Sequence, residues 1–191
     1  MEVLVSIIIL SFGLLGMVGM QASALQANKE ARLQSSAVRL ARELGEMMRG
    51  NKDVGTATTA LANPYLINYT NPAAIGAAPT NCFTGNCYTV TGTPGKLAVA
   101  QFEVQDWLTR VNSELPGVRV VVCFDDTPFD ASGMPQWACS AAAGTVAVIK
   151  IGWTRGSTNR APSAAASGAA AAFDRATVPS IILPVTAGST T

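Results

Sequence analysis

Hydrophobic positions change their rhythm three times along this chain. From Val3 to Met20 no side chain carries a charge, and Ser6 and Ser11 are the only polar ones. These 18 residues rise about 1.5 Å each, roughly 27 Å in all, which is the lower edge of a bilayer span. The run predicts a transmembrane or signal-anchor helix. A secretory signal would open with basic residues and close on a small-residue cleavage site. Here the acid Glu2 stands before the run, and Gln21 and a mixed-charge segment follow it. Gly13, Gly16 and Gly19 recur at helical spacing. Small residues let a neighbouring helix approach closely in lipid, and they also soften a helix in water.

No proline separates this run from the next rhythm. Leu25, Leu33, Ala37, Leu40, Ala41, Leu44 and Met48 keep the i, i+3, i+4, i+7 spacing of one helical face. Arg39 with Glu43, and Arg42 with Glu46, are i, i+4 pairs of opposite charge. Gly50 after Arg49 suits a C-cap. The expectation is one helix from Glu2 to Arg49, roughly 70 Å long. Its first half belongs in a membrane or an apolar assembly and its second half on a domain.

After Gly50 the periodicity lapses. Residues 51–87 are rich in Asn, Pro, Gly and Thr and predict a long connection with short turns. Phe102, Val104, Trp107, Leu108 and Val111 then predict a short amphipathic helix from about Val99 to Leu115, stopped by Pro116-Gly117. Its charges, Glu103, Asp106, Arg110 and Glu114, fall on the side expected to be exposed. "VRVVVCFDD" and "AGTVAVIKIGWTRG" predict two strands forming a hairpin, and "TVPSIILPVT" a third, pushed to an edge by Pro179 and Pro184. The low-complexity stretch between, "STNRAPSAAASGAAAAFDRA", predicts a flexible loop. The division expected is residues 1–49 as a membrane and assembly helix and 50–191 as a globular domain. Within the latter, 50–98 form the connection and 99–191 the short helix and sheet.

Composition narrows the function. Thirteen Lys and Arg against 12 Asp and Glu leave a net charge of +1, so no nucleic-acid surface is predicted. There is no His, which removes the commonest general base and metal ligand. The four cysteines, Cys82, Cys87, Cys123 and Cys139, allow three pairings. Sequential pairing, Cys82–Cys87 and Cys123–Cys139, closes two short loops and is favoured over free thiols, and the spacings fit no zinc framework. Disulfides place the domain outside the cytoplasm. Lys29 and Arg32 follow the apolar run with no basic residue before it, which by charge bias would keep the domain inside. Basic residues in a leader before Met1 reconcile the two.

Catalytic patterns are thin. Asp125 and Asp126 are neighbours on a strand and point to opposite faces, and with Asp130 they miss the calcium-loop pattern. "GTPGK" (residues 92–96) is too short for a phosphate loop. Without His or a G-x-S-x-G element a hydrolase triad is not expected. Trp107, Trp137 and Trp153 are assigned to packing. No enzyme, cofactor or metal is expected.

"EVLVSIIILSFGLLGMVGMQ" resembles the N-terminal segment of type IV pilins, in detail that of minor pilins of the pilus modification protein PilV family. In that family a basic leader ends in Gly, prepilin peptidase cuts after it, and the mature chain is N-methylated and begins Phe-Thr-Leu-Ile-Glu-Val-Leu-Val. Glu2-Val3-Leu4-Val5 is similar to the last four of those residues. The chain is therefore expected to begin inside the motif, and in this form to be neither cleaved nor methylated. "QFEVQDWLTRVNSELPGVRVVVC" and "VAVIKIGWTRG" resemble inner segments of the same family. The resemblance implies an α+β, pilin-like fold: a long N-terminal helix packed on an antiparallel sheet of three to four strands. It implies that Glu2 lies buried in a fibre and neutralises the N-terminal ammonium of the adjoining subunit. A carboxylate at the edge of a lipid-length run is costly unless paired; the plainer reading makes it an interfacial first-turn residue favoured by the helix dipole.

The implied function is that of a minor pilin that initiates or modifies type IV pilus assembly. Its partners would be other minor pilins, the major pilin, the inner membrane and, for the precursor, prepilin peptidase. It would pass once through the inner membrane with a periplasmic domain, then enter the fibre or tip. Alternatives are a minor pseudopilin of type II secretion and a membrane-anchored adhesin or binding module using the 51–81 segment or the 156–175 loop.

Overall fold

The computed structural model describes residues 2–76, 82, 84, 87, 92–140, 146–156, 173, 174 and 176–188. Two compact units, Met1–Ser35 and Ser36–Thr191, meet inside the first helix. That helix, α1, runs Glu2–Gly50 without a break, as the absence of proline requires.

In the second unit α1 buries Ala37, Leu40, Ala41, Leu44, Gly45 and Met48 as one stripe. Gly50 does not end α1 in a left-handed cap: its φ is not positive, and Asn51 N–H still bonds the Met47 carbonyl at 3.1 Å. The chain passes at once into a single turn, α2 (Lys52–Gly55). The connection beyond it is ordered around Asn63, which is fully buried. The Asn63 amide donates to the Gly55 and Ala57 carbonyls (3.0 and 2.8 Å), and its oxygen accepts from Tyr65 N–H. A short strand, β1 (Asn68–Thr70), follows.

The second long helix, α3 (Thr93–Glu114), begins about six residues earlier than the apolar pattern alone placed it. Gly92 enters with φ 81° and Pro94 occupies the first turn, where its missing N–H costs nothing. Pro116-Gly117 ends it; Gly117 has φ 56°, and a Cβ there would collide with Thr154 Oγ1.

The sheet has four antiparallel strands in the order β1-β2-β3-β6, with β2 at Arg119–Phe124, β3 at Ala147–Gly152 and β6 at Ile181–Val185. β6 is an edge strand and carries Pro184, as expected. A two-stranded pair, β4 (Arg155–Gly156) with β5 (Phe173–Asp174), closes the ends of the low-complexity segment; residues 157–172 lie outside the described residues.

Alternation sorts the two faces of the sheet. Val120, Val122, Ile149, Ile151 and Val185 are buried on the helix side, where a Cβ on Gly45 would stand 3.1 Å from Val185. Arg119, Val121 and Cys123 of β2, with Val148, Lys150 and Gly152 of β3, face the other way. There the β2–β3 connection folds back as a strap. Trp137 lies against Gly152, Ala138 over Lys150, and Cys139 is joined to Cys123.

Candidate functional site: the apolar helix and the strapped sheet

In the first unit the helix presents side chains that nothing in the described residues covers. Val3, Leu4, Val5, Ile7, Ile8, Ile9, Leu10 and Phe12 are all at least half exposed. The two polar side chains of the run turn inward upon the helix. Ser6 Oγ donates to the Glu2 carbonyl at 2.8 Å and Ser11 Oγ to the Ile7 carbonyl at 2.7 Å. Their hydroxyl protons are thus spent on the helix itself, and the outer surface is apolar all round, the condition a bilayer or an apolar fibre demands. Apart from the helix's own backbone, no atom of the described residues lies within 4 Å of where a Cβ would stand on Gly13, Gly16 or Gly19, so the surface is open at these positions. The helix is long and apolar enough to cross a membrane. Glu2 occupies its first turn.

The strap is held by a polar cluster that the sequence reading did not anticipate. Lys150 and Asp125 are both fully buried, with Nζ 2.5 Å from Oδ2. Lys150 also donates to the Ala138 carbonyl at 2.6 Å. Asp125 Oδ1 accepts from the backbone N–H of Thr127 (3.0 Å) and Ser140 (3.1 Å). Burial pushes the Asp125 carboxyl up, but the hydrogen bonds from Lys150, Thr127 and Ser140 outweigh it and hold it below the usual carboxylate range. Of the other acids of the suspected cation loop, the Asp130 carboxylate accepts from the N–H groups of its own turn, Ser132 and Met134, while Asp126 donates its backbone N–H to Ser140 Oγ.

Lys96 of "GTPGK" lies in the first turn of α3 and pairs with Asp53, whose carboxyl that contact lowers. Trp107 and Trp153 are buried, and Trp137 packs half-buried beneath the Arg119 guanidinium, 4.4 Å from its ring centre. The cysteines join as Cys82–Cys87 and Cys123–Cys139, and no free cysteine remains.

Residues 19–104 match the family model Tt1218-like, described as Type IV pilin Tt1218. The match supports a type IV pilin. No curated protein and no solved structure matches the chain. The matched span takes in α1 from Gly19 onward, α2, β1 and the first half of α3, and stops before β2, β3 and β6. The long helix and the four-stranded antiparallel sheet are consistent with an α+β pilin fold.

In the second unit Asp106 is exposed, as the sequence pattern placed it, while Arg110 and Glu114 of α3 turn toward α1. Arg110 makes a bidentate pair with Glu43 of α1 (2.6 and 2.9 Å), and Glu114 takes both its bonds from Arg39 (2.8 and 2.7 Å). Contact with Arg39 lowers the Glu114 carboxyl. Arg39 and Glu43 thus reach across to α3, not to each other, and Glu46 pairs with Arg49 at i+3. Cross-helix bidentate geometry outcompetes an exposed i, i+4 contact worth a few tenths of a kcal/mol. Glu103 accepts from the buried Tyr65 hydroxyl at 2.6 Å, and burial, with that carboxylate, raises the tyrosine's pKa. Trp107 Nε1 completes the seam, donating to the Leu40 carbonyl at 2.9 Å.

Proposed function

We propose that the chain is a minor pilin that initiates or modifies assembly of a type IV pilus, inserting through its N-terminal helix. The observation that carries this reading is the run Val3–Met20, exposed and apolar, with both serine hydroxyls bonded back into the helix. Such a surface is stable only in lipid or against other apolar helices. The type IV pilin match and the α+β fold support the pilin part of this reading. The specific placement among PilV-like minor pilins rests on the sequence segments around Glu2, Trp107 and Trp153.

Glu2 is the proposed assembly residue. A carboxylate at the head of an apolar helix gains most by meeting a cation from a neighbour, and the N-terminal ammonium of an adjoining subunit supplies one. The partners are other minor pilins and the major pilin. The domain is periplasmic while the helix is anchored in the inner membrane, and at the cell surface once in the fibre. Deleting the gene is expected to lower the number of surface pili seen by electron microscopy. The leader-bearing wild-type precursor should restore them. Unchanged pili with lost protein secretion would favour the pseudopilin reading, and unchanged pili with lost surface binding the adhesin reading.

A further inference from the structure

The polar cluster under the strap brackets both cysteines of the longer loop. Asp125 lies two residues after Cys123. Ala138 and Ser140, the two neighbours of Cys139, are each tied into the cluster, Ala138 by its carbonyl to Lys150 and Ser140 by its N–H to Asp125. Lys150 stands two positions along β3 from Val148, the register partner of Cys123. The cluster therefore fixes the segment on each side of Cys139 against the strand that carries Cys123.

A buried ion pair is weak evidence for stability, because desolvating two charges cancels much of their attraction; its better-attested effect is to specify one arrangement over others. An apolar pair here would supply no such directional bonds between strap and sheet. A carboxylate receiving two backbone N–H groups, and an ammonium reaching one carbonyl and that carboxylate, admit a single position for residue 139.

We propose that the Asp125–Lys150 pair is the positioning device for oxidation of Cys123 and Cys139, seating the strap so that the two sulfurs meet before the bond forms. The reaction is thiol–disulfide exchange with a small disulfide such as oxidised glutathione. One thiolate attacks it, releasing a glutathione thiol and leaving a mixed disulfide. The second thiolate then displaces the other glutathione, so two electrons and two protons pass from the cysteines to two glutathione thiols. The pair acts on the second step, which depends on how often Cys123 and Cys139 are in reach. This inference is independent of the pilus reading.

The test uses the full chain in detergent, reduced and then equilibrated across a series of reduced and oxidised glutathione ratios. Free thiols are trapped by alkylation, and both cysteine pairs are read by peptide mass mapping. Wild type is compared with Lys150→Met and Asp125→Asn. Cys82–Cys87, distant in sequence from the cluster, is the internal control. In both variants Cys123–Cys139 is expected to need at least about tenfold more oxidising buffer to close, while Cys82–Cys87 closes as in wild type. Equal closure of Cys123–Cys139 in wild type and variants overturns the proposal. So does a parallel loss of both disulfides, which would mean that the pair acts only through the stability of the whole domain. Should Lys150→Met fail to fold, the nearly isosteric Asp125→Asn decides.

Discussion

Lys150 points its ammonium at the Asp125 carboxylate across 2.5 Å, and neither side chain is exposed to solvent. A lysine in the middle of the most buried strand is tolerable only because a carboxylate and a carbonyl meet it there. The pairing ties the outer face of the sheet to the described part of the connection that covers it.

That pairing gives the domain an acid-sensitive component. The Asp125 carboxyl is depressed in the folded state, so its contribution is complete above the ordinary carboxylate value of about 3.9 and is lost as pH falls through the folded value. Asp125→Asn is expected to cost on the order of 3 kcal/mol at pH 7, because the Lys150 charge loses its counter-ion. Urea unfolding at pH 7 and pH 3 checks this: the gap between wild type and variant should narrow at the lower pH. A gap that widens would count against the ion pair.

Gly152 is the point where the strap closes on the sheet. A Cβ there would stand 2.8 Å from Ala176 Cβ and 3.0 Å from the Trp137 ring. Gly152→Ala is expected to destabilise by about 1–3 kcal/mol through overpacking and to alter Trp137 fluorescence. Thermal melts and emission spectra of the purified variant measure both.

Leucines of α1 should divide sharply by position. Leu44 is fully buried, and Leu44→Ala is expected to cost about 2–5 kcal/mol of domain stability. Leu10 is 66 % exposed, and Leu10→Ala should leave the melting of the domain in detergent unchanged. Calorimetry of the two variants side by side is the measurement; equal effects would contradict the division.

The side chains of the Arg110–Glu43 pair are about a third exposed despite its bidentate geometry. Arg110→Ala is expected to cost no more than about 1 kcal/mol. The loss should shrink as salt rises from 0.05 to about 1 M, where screening lengths fall to roughly 3 Å. Denaturation at the two salt concentrations tests it.

Elements whose stability is written in local periodicity were legible in the sequence. The unbroken helix from Glu2, the strands around Val121 and Ile149, and the edge position of Pro184 all follow from spacing and from proline's missing donor. β1 was not legible: "NYT" within an Asn- and Pro-rich segment is a strand only because Tyr69 registers with Val120. The early start of α3 was signalled by Pro94 in its first turn, a cue that the apolar positions outweighed. The i, i+4 charge pairs failed because sequence spacing is blind to a second helix, and α3 offers Arg39 and Glu43 better partners. Lys150 did leave a trace, a single cation inside "VAVIKIGW", but its carboxylate lies 25 positions away along the chain.

The central claim is that the N-terminal helix, headed by Glu2, carries assembly. Co-purification from membranes of the leader-bearing protein, wild type against Glu2→Ala, tests it most directly. Wild type is predicted to bring down other pilins and the alanine form to lose them. Equal recovery from both would reduce Glu2 to an interfacial residue and move recognition to the sheet domain, and no pilin with either would contradict the fibre reading itself.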